Sequence, residues 1–223
     1  GGTLNNSGGF LESLQSSPFK FAGSTQITGG TIRNVGAAAN ATNFDLGNTT
    51  IINPLVMQGP LVVEHAKQTG FVGTINNEGS VRLRNSGGTR TRLAIGSIAA
   101  PNVSLTGGGQ LILERDSMIE SVSGSGSSTL TLDAQKLRGS GWIGAENGYA
   151  RYLSVINNSG DSSNPGIEAD DNGQGRELRF TTASLTNSPG KRMKATNGGK
   201  LALWSSSLTN TGAFIVAEAG STV

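Results

Sequence analysis

Apolar and polar residues alternate along short stretches of this chain. Val81 and Leu83 alternate with Arg82 and Arg84, the period-two mark of a half-buried strand. The same reading gives strands at Leu61-Val62-Val63, Phe71-Val72, Thr91 to Ile95, Val103-Ser104-Leu105, Gln110 to Glu114 and Leu130-Thr131-Leu132. The best helical candidate, Leu61 to Gln68, is too brief and too rich in β-branched residues.

One phrase ends many of these strands: a branched apolar residue, any residue, Asn, any residue, Gly. It stands at Leu4 to Gly8, Ile32 to Gly36, Ile75 to Gly79, Leu83 to Gly87, Ile156 to Gly160 and Leu208 to Gly212. A copy with an inserted Pro runs from Leu185 to Gly190. Asn tolerates left-handed backbone and Gly takes positive φ without a Cβ clash, so the phrase predicts a tight turn. Asn6, Asn34, Asn77, Asn158, Asn187 and Asn210 are separated by 28, 43, 81, 29 and 23 residues. These are multiples of about 20 to 29 residues, the length of a solenoid coil. The prediction is an all-β chain, a single parallel β-helix. Residues 1–60 read as irregular N-terminal coils or a side-packed cap, with Pro18 and the aromatic group Phe10, Phe19 and Phe21; residues 61–223 read as the regular part. Equivalent residues of such a helix stack about 4.8 Å apart, so the six Asn residues should form turn rows bonded amide to amide.

Composition fits that picture. The chain has 223 residues with 34 Gly, and its 14% charged content is well below the globular average of about 25%. A 5% aromatic content suits a core of stacked Val, Ile, Leu and Ala rows. Without Cys, disulfides and thiolate metal sites are excluded. No apolar run is long enough for a transmembrane segment. The chain starts at Gly1 inside a repeat and stops at Val223 where a new strand is due, so it reads as part of a longer protein.

Leu137 to Gly144, Leu153 to Gly160, Ile167 to Asp170, Met193 to Leu203 and Ser207 to Gly212 resemble the passenger repeats of large secreted bacterial exoproteins. That group includes autotransporter passengers and filamentous-haemagglutinin-like adhesins, and the resemblance covers about residues 70 to 223. It implies a right-handed parallel β-helix at a bacterial cell surface or in the extracellular matrix. The matching motifs report architecture and carry no chemistry.

Candidate chemistry is sparse. The net charge of +2 permits a polyanion partner without demanding one. Arg82, Arg84, Arg90 and Arg92 form the strongest basic group, an expected outward face for contact with polysaccharide or another matrix polyanion. The plainer reading of that face is solubility and edge protection. Glu168, Asp170 and Asp171, within the polar stretch Asp161 to Gly175, could hold Ca²⁺ but lack a spaced Asp ladder, so no cofactor is expected. His65 beside Glu64 has no third oriented group in sequence. Trp142, Tyr149 and Tyr152 suggest a sugar-stacking surface, although Trp142 reads equally as core. The expectation is a non-enzymatic structural or adhesive module, a rigid stalk that presents loops. Alternatives are a filament subunit self-associating end to end, a polysaccharide-degrading enzyme and a phage tail fibre.

Overall fold

The computed structural model describes residues 1–14, 19–21, 23–35, 44–122, 127–145, 152–170 and 176–223. Pro18, Gly36, Tyr149, Asp171 and the rest of the stretch to Gly175 lie outside the described residues. The described chain is all β, and every pairing between its strands is parallel.

Strands recur in threes. Gly2–Asn5, Phe10–Leu14 and Phe19–Lys20 make the first unit; Lys200–Leu203, Leu208–Thr209 and Phe214–Ala217 make the ninth. Each strand pairs with its counterpart one unit on, which produces three ladders, A, B and C in chain order. Ladders A and B share the long strand Gln68–Asn77 and so count as one 17-stranded sheet, in which ladder A curls. Ladder C is a separate 9-stranded sheet.

The unit length is read from the register. Thr25 stands opposite Gly2, Thr49 opposite Thr25, Thr69 opposite Thr49 and Leu93 opposite Thr69, steps of 23, 24, 20 and 24 residues. One step is longer: Ile143 and Phe180 pair across 37 residues. Its excess lies in the connections that follow Gly144 and Asp170, not in the strands. Units before residue 60 keep the same three-ladder pairing, with Phe10–Leu14 in register with Thr31–Val35. Where a short helix was conceivable, Pro60–Val63 and Gln68–Asn77 are strands.

Alternation puts every second side chain inside, where equal positions stack. Ile27, Ile51, Phe71 and Ile95 form one buried row of ladder A; Leu61, Val81, Leu111, Leu137, Ile167 and Met193 form one of ladder C. A buried aliphatic side chain contributes about 1.5–3 kcal/mol, and stacking lets each unit cover its neighbour's apolar face. A second ladder C row thins from Leu113 to Gly139, Ala169 and Ala195, and in the last of these units, that of Ala195, ladder A supplies Phe180 and Leu178. At the N-terminal end Phe19 stacks on Phe44 at 4.8 Å, with Phe21 edge-on to Phe19 at 5.1 Å.

The turns from ladder C back to ladder A repeat one device. Glu64 to Lys67, Glu114 to Ser117 and Glu218 to Ser221 each close with a backbone bond from the fourth N–H to the first carbonyl, at 3.1, 3.1 and 2.9 Å. Their third residue is left-handed: Ala66 at φ 61°, Asp116 at 58° and Gly220 at 78°. Between ladders B and C the units approach so closely that side chains are excluded. A Cβ on Gly79 would lie 2.2 Å from the Gly59 carbonyl oxygen, and one on Gly109 would lie 2.3 Å from that of Gly79.

Candidate functional site

Arg82 lies in the ladder C strand Ser80–Leu83 and Arg92 in the ladder A strand Arg92–Ile95; Arg84 and Arg90 flank the turn between them. All four are half-buried on the outer surface, as strand alternation demands. Three of them are engaged by carboxylates of adjacent units. Arg82 Nη1 is 3.1 Å from Glu114 Oε1, Arg84 Nη1 is 3.4 Å from Glu64 Oε1, and Arg92 Nη1 is 3.1 Å from Glu120 Oε1. The Arg90 guanidinium instead lies over the Trp142 ring, 4.6 Å from its centroid. The group is therefore a set of unit-to-unit ties, and its charge toward a polyanion is largely compensated.

Trp142 is on the outer side of its strand, half-buried, and does not belong to the core. Arg179 sits 4.8 Å from its ring centroid and 5.0 Å from that of Trp204, so Arg90, Trp142, Arg179 and Trp204 form an alternating cation–aromatic stack on ladder A. Two guanidinium groups thus lie over the Trp142 ring. Tyr152 is exposed.

A groove of about 810 Å³ runs over ladder C, lined by Arg82, Glu114, Arg138 and Asp170 among others. The outward ion pairs of ladder C follow a rule. Arg82, Arg138 and Lys194 stand in one outward row, linked through Ile112 and Glu168, and each pairs with a carboxylate one unit on: Glu114, Asp170 and Glu218. Glu168 is held by Lys136 at 2.6 Å and accepts from Thr196 at 3.2 Å. Asp170 also accepts from Asn197 Nδ2 at 3.1 Å. Glu168 and Asp170 of the suspected Ca²⁺ group are thus turned to protein cations and donors. Among the described residues no three His or acidic side chains come together as a metal site would require. His65 Nδ1 is 2.7 Å from Asn85 Oδ1 in the next unit, while Glu64 faces Arg84. At the loop start, Asp161 accepts backbone N–H bonds from Asn164 at 2.9 Å and Ser163 at 2.7 Å. Those two bonds hold its carboxyl below the usual value of 3.8, with Lys191 and Arg192 adding to the effect.

The asparagines occupy several rows. Asn6 turns the chain from ladder A into ladder B, a different corner from the others, and its Nδ2 donates to the Gly9 carbonyl at 3.2 Å. Asn34, Asn77, Asn187 and Asn210 lie where ladder B gives way to C. There Asn157, and not Asn158, stands opposite Asn187. Strand alternation decides this: Val155 and Asn157 point in, and Asn158 falls outside the strand and accepts from the Ser188 hydroxyl. Asn77 is opposite Met57, and Met57 is opposite Ile32, which puts Asn34 two positions beyond Asn77. Asn157 continues the Leu105 and Leu132 row instead, two positions before it.

Despite this stagger the corner is one hydrogen-bonded column from Asn77 to Asn210. Asn157 Nδ2 donates to Asn187 Oδ1 at 2.8 Å, and Asn187 Nδ2 to Asn210 Oδ1 at 2.7 Å. In the fifth unit Gly107-Gly108-Gly109 offers no side chain, and Gln135 of the sixth unit reaches across to the fourth. Gln135 Nε2 donates to the Asn77 carbonyl at 2.8 Å and the Thr106 carbonyl at 2.6 Å, while Asn77 Nδ2 donates to Gln135 Oε1 at 2.7 Å. Ser159 closes the gap: its hydroxyl accepts from Gln135 N at 2.7 Å, and its own N–H donates to Asn157 Oδ1 at 3.2 Å. Gln135 is 1% exposed, so these bonds stand in place of water.

Sequence reasoning missed Gln135, Ser159, Glu114 and Glu120, and it paired Glu64 with His65 instead of Arg84. The usable signal was the unit step: Glu114 follows Arg82 by 32 residues and Glu120 follows Arg92 by 28, one unit plus a short stagger. Comparison with known proteins gives no match of the chain to a family model, to a curated protein or to a solved structure.

Proposed function

We propose that the chain winds as a single right-handed parallel β-helix and serves as a rigid, non-enzymatic module of a bacterial cell-surface or extracellular protein. Its work is mechanical: stacked units set a distance and hold corner loops out toward a partner. The observation that carries this reading is the unbroken register of ladder C from Phe19 to Ala217, supported on the inside by apolar rows and at one corner by the amide column. Side chains that would serve general acid–base chemistry are used otherwise. Glu114, Asp170 and Glu168 each face a cation of an adjacent unit and so serve as unit-to-unit ties. The passenger-repeat resemblance supports the surface location.

Negative-stain electron microscopy of the 223-residue chain over a concentration series, with antibody labelling of intact source cells, tests the proposal. Nine units at about 4.8 Å per step give rods about 40 Å long. Short rods together with surface labelling are the expected result. Compact globes, or labelling that appears only after the cells are permeabilised, would overturn it. End-to-end fibres would replace the stalk by a filament subunit pairing through its terminal strand edges.

A further inference from the structure

Ladder A carries a second groove, of about 730 Å³, over units two to five. Its floor is an outward row in which Gln26, Thr50, Gly70 and Ala94 stand opposite one another in consecutive strands. Gly70 and Ala94 are buried, so the floor is sunk below the exposed side chains of Asn48 and Gln68 that also line it. Ile98, 77% exposed, adds an apolar contact.

Two features separate this groove from the rest of the surface. Every described residue lining it is uncharged. The side chains of Gln26, Asn48, Thr50 and Gln68 make no hydrogen bond to another described residue. On ladder C, by contrast, outward polar side chains are paired from unit to unit. Here amides and a hydroxyl are left open around a sunken floor of small residues.

That chemistry selects among ligands. Nucleic acids and acidic glycans are held chiefly by cations, and none is among the described residues that line the groove. Protein interfaces centre on aromatic, Met and Arg anchors, and these are missing from its lining too. Carboxamides and hydroxyls both donate and accept, which matches the hydroxyls of a sugar, while a flat floor of Gly70 and Ala94 accepts the C–H face of a ring. We propose that the groove binds an uncharged oligosaccharide laid along the unit axis over Thr50, Gly70 and Ala94. From unit two to unit five the floor covers about 14 Å, enough for a short oligosaccharide. The inference needs neither the surface location nor the stalk mechanism, because the groove is complete within these units.

The test is binding of the 223-residue chain to neutral oligosaccharides built from glucose, galactose, mannose and N-acetylglucosamine in α and β linkages, with polygalacturonate and heparin beside them. The expected result is a neutral binder whose affinity is unchanged between low and high salt and whose addition shifts the Gly70 and Ala94 amide resonances. The double variant Gln26→Ala/Gln68→Ala should weaken it by about tenfold or more, since each lost bond is a large part of one such factor. Both side chains are exposed, so the variant should keep the wild-type thermal midpoint, and Ala94→Gln, which fills the floor, should abolish binding independently. Failure of the whole neutral panel overturns the proposal. So does salt-sensitive binding of only the acidic probes, or a neutral ligand whose binding survives both variants. None of these outcomes bears on whether the chain is a rod.

Discussion

Gln135 spans two units where an asparagine spans one. Each in-register Asn needs only the next unit's amide, about 4.8 Å away, but the glycine turn at residues 107–109 removes that partner from the fifth unit. The longer side chain restores the column and pairs the Asn77 and Thr106 carbonyls as well. Gln135→Ala should therefore cost about 2–4 kcal/mol, because buried acceptors and the Asn77 amide are left without partners. Asn158→Ala should stay within about 0.5 kcal/mol, since that side chain is half-buried and outside the column. Urea denaturation of the two variants decides between a column centred on Asn157 and one centred on Asn158, for which the order of the two effects would reverse. Of the seven asparagines in copies of the repeated phrase, five lie at the corner between ladders B and C: Asn34, Asn77, Asn158, Asn187 and Asn210. The phrase misplaces Asn158 because Ile156-Asn157-Asn158-Ser159-Gly160 holds two Asn residues, and only strand parity tells which one points in.

The ion pairs of ladder C belong to the scale of the strand. Arg82 and Glu114 are 25% and 32% exposed, so solvent screens them, and each is worth little alone. A double-mutant cycle on Arg82→Ala and Glu114→Ala should return a coupling below about 1 kcal/mol that shrinks as salt is raised. A larger, salt-insensitive coupling would show that the pair is effectively desolvated. Alternation made the outward direction of Arg82 and Arg92 legible. Their partners were not, because an apposition 32 or 28 residues along the chain depends on where every intervening turn closes.

Over the whole molecule, each unit touches mainly the units on either side, so stability should follow position along the stack. Amide exchange of the 223-residue chain should be slowest in the central strands, Ser80–Leu83 to Lys136–Gly139, and fastest in Gly2–Asn5 and Leu208–Thr209, which the stack covers on one side only. Uniform protection from end to end would mean that the stack opens as one cooperative body. The exposed Leu4, Phe10, Leu208 and Phe214 agree with weak ends in the isolated chain.

The sequence alone determined the strand period, the turn chemistry and a unit of roughly 20 to 29 residues. These depend on neighbours in the chain: alternation chooses a face, and Gly or Asn accepts the backbone that a corner needs. Tertiary structure alone decided which residues meet. It put Gln135 against Asn77, gave Arg90 to a tryptophan and Arg82 to a glutamate, and gathered Gln26, Thr50, Gly70 and Ala94 into one uncharged floor. A parallel ladder brings together residues a full unit apart, and a corner loop can lengthen a unit to 37 residues without disturbing a strand. Register therefore accumulates over all the turns between two positions, and a local pattern does not contain that sum.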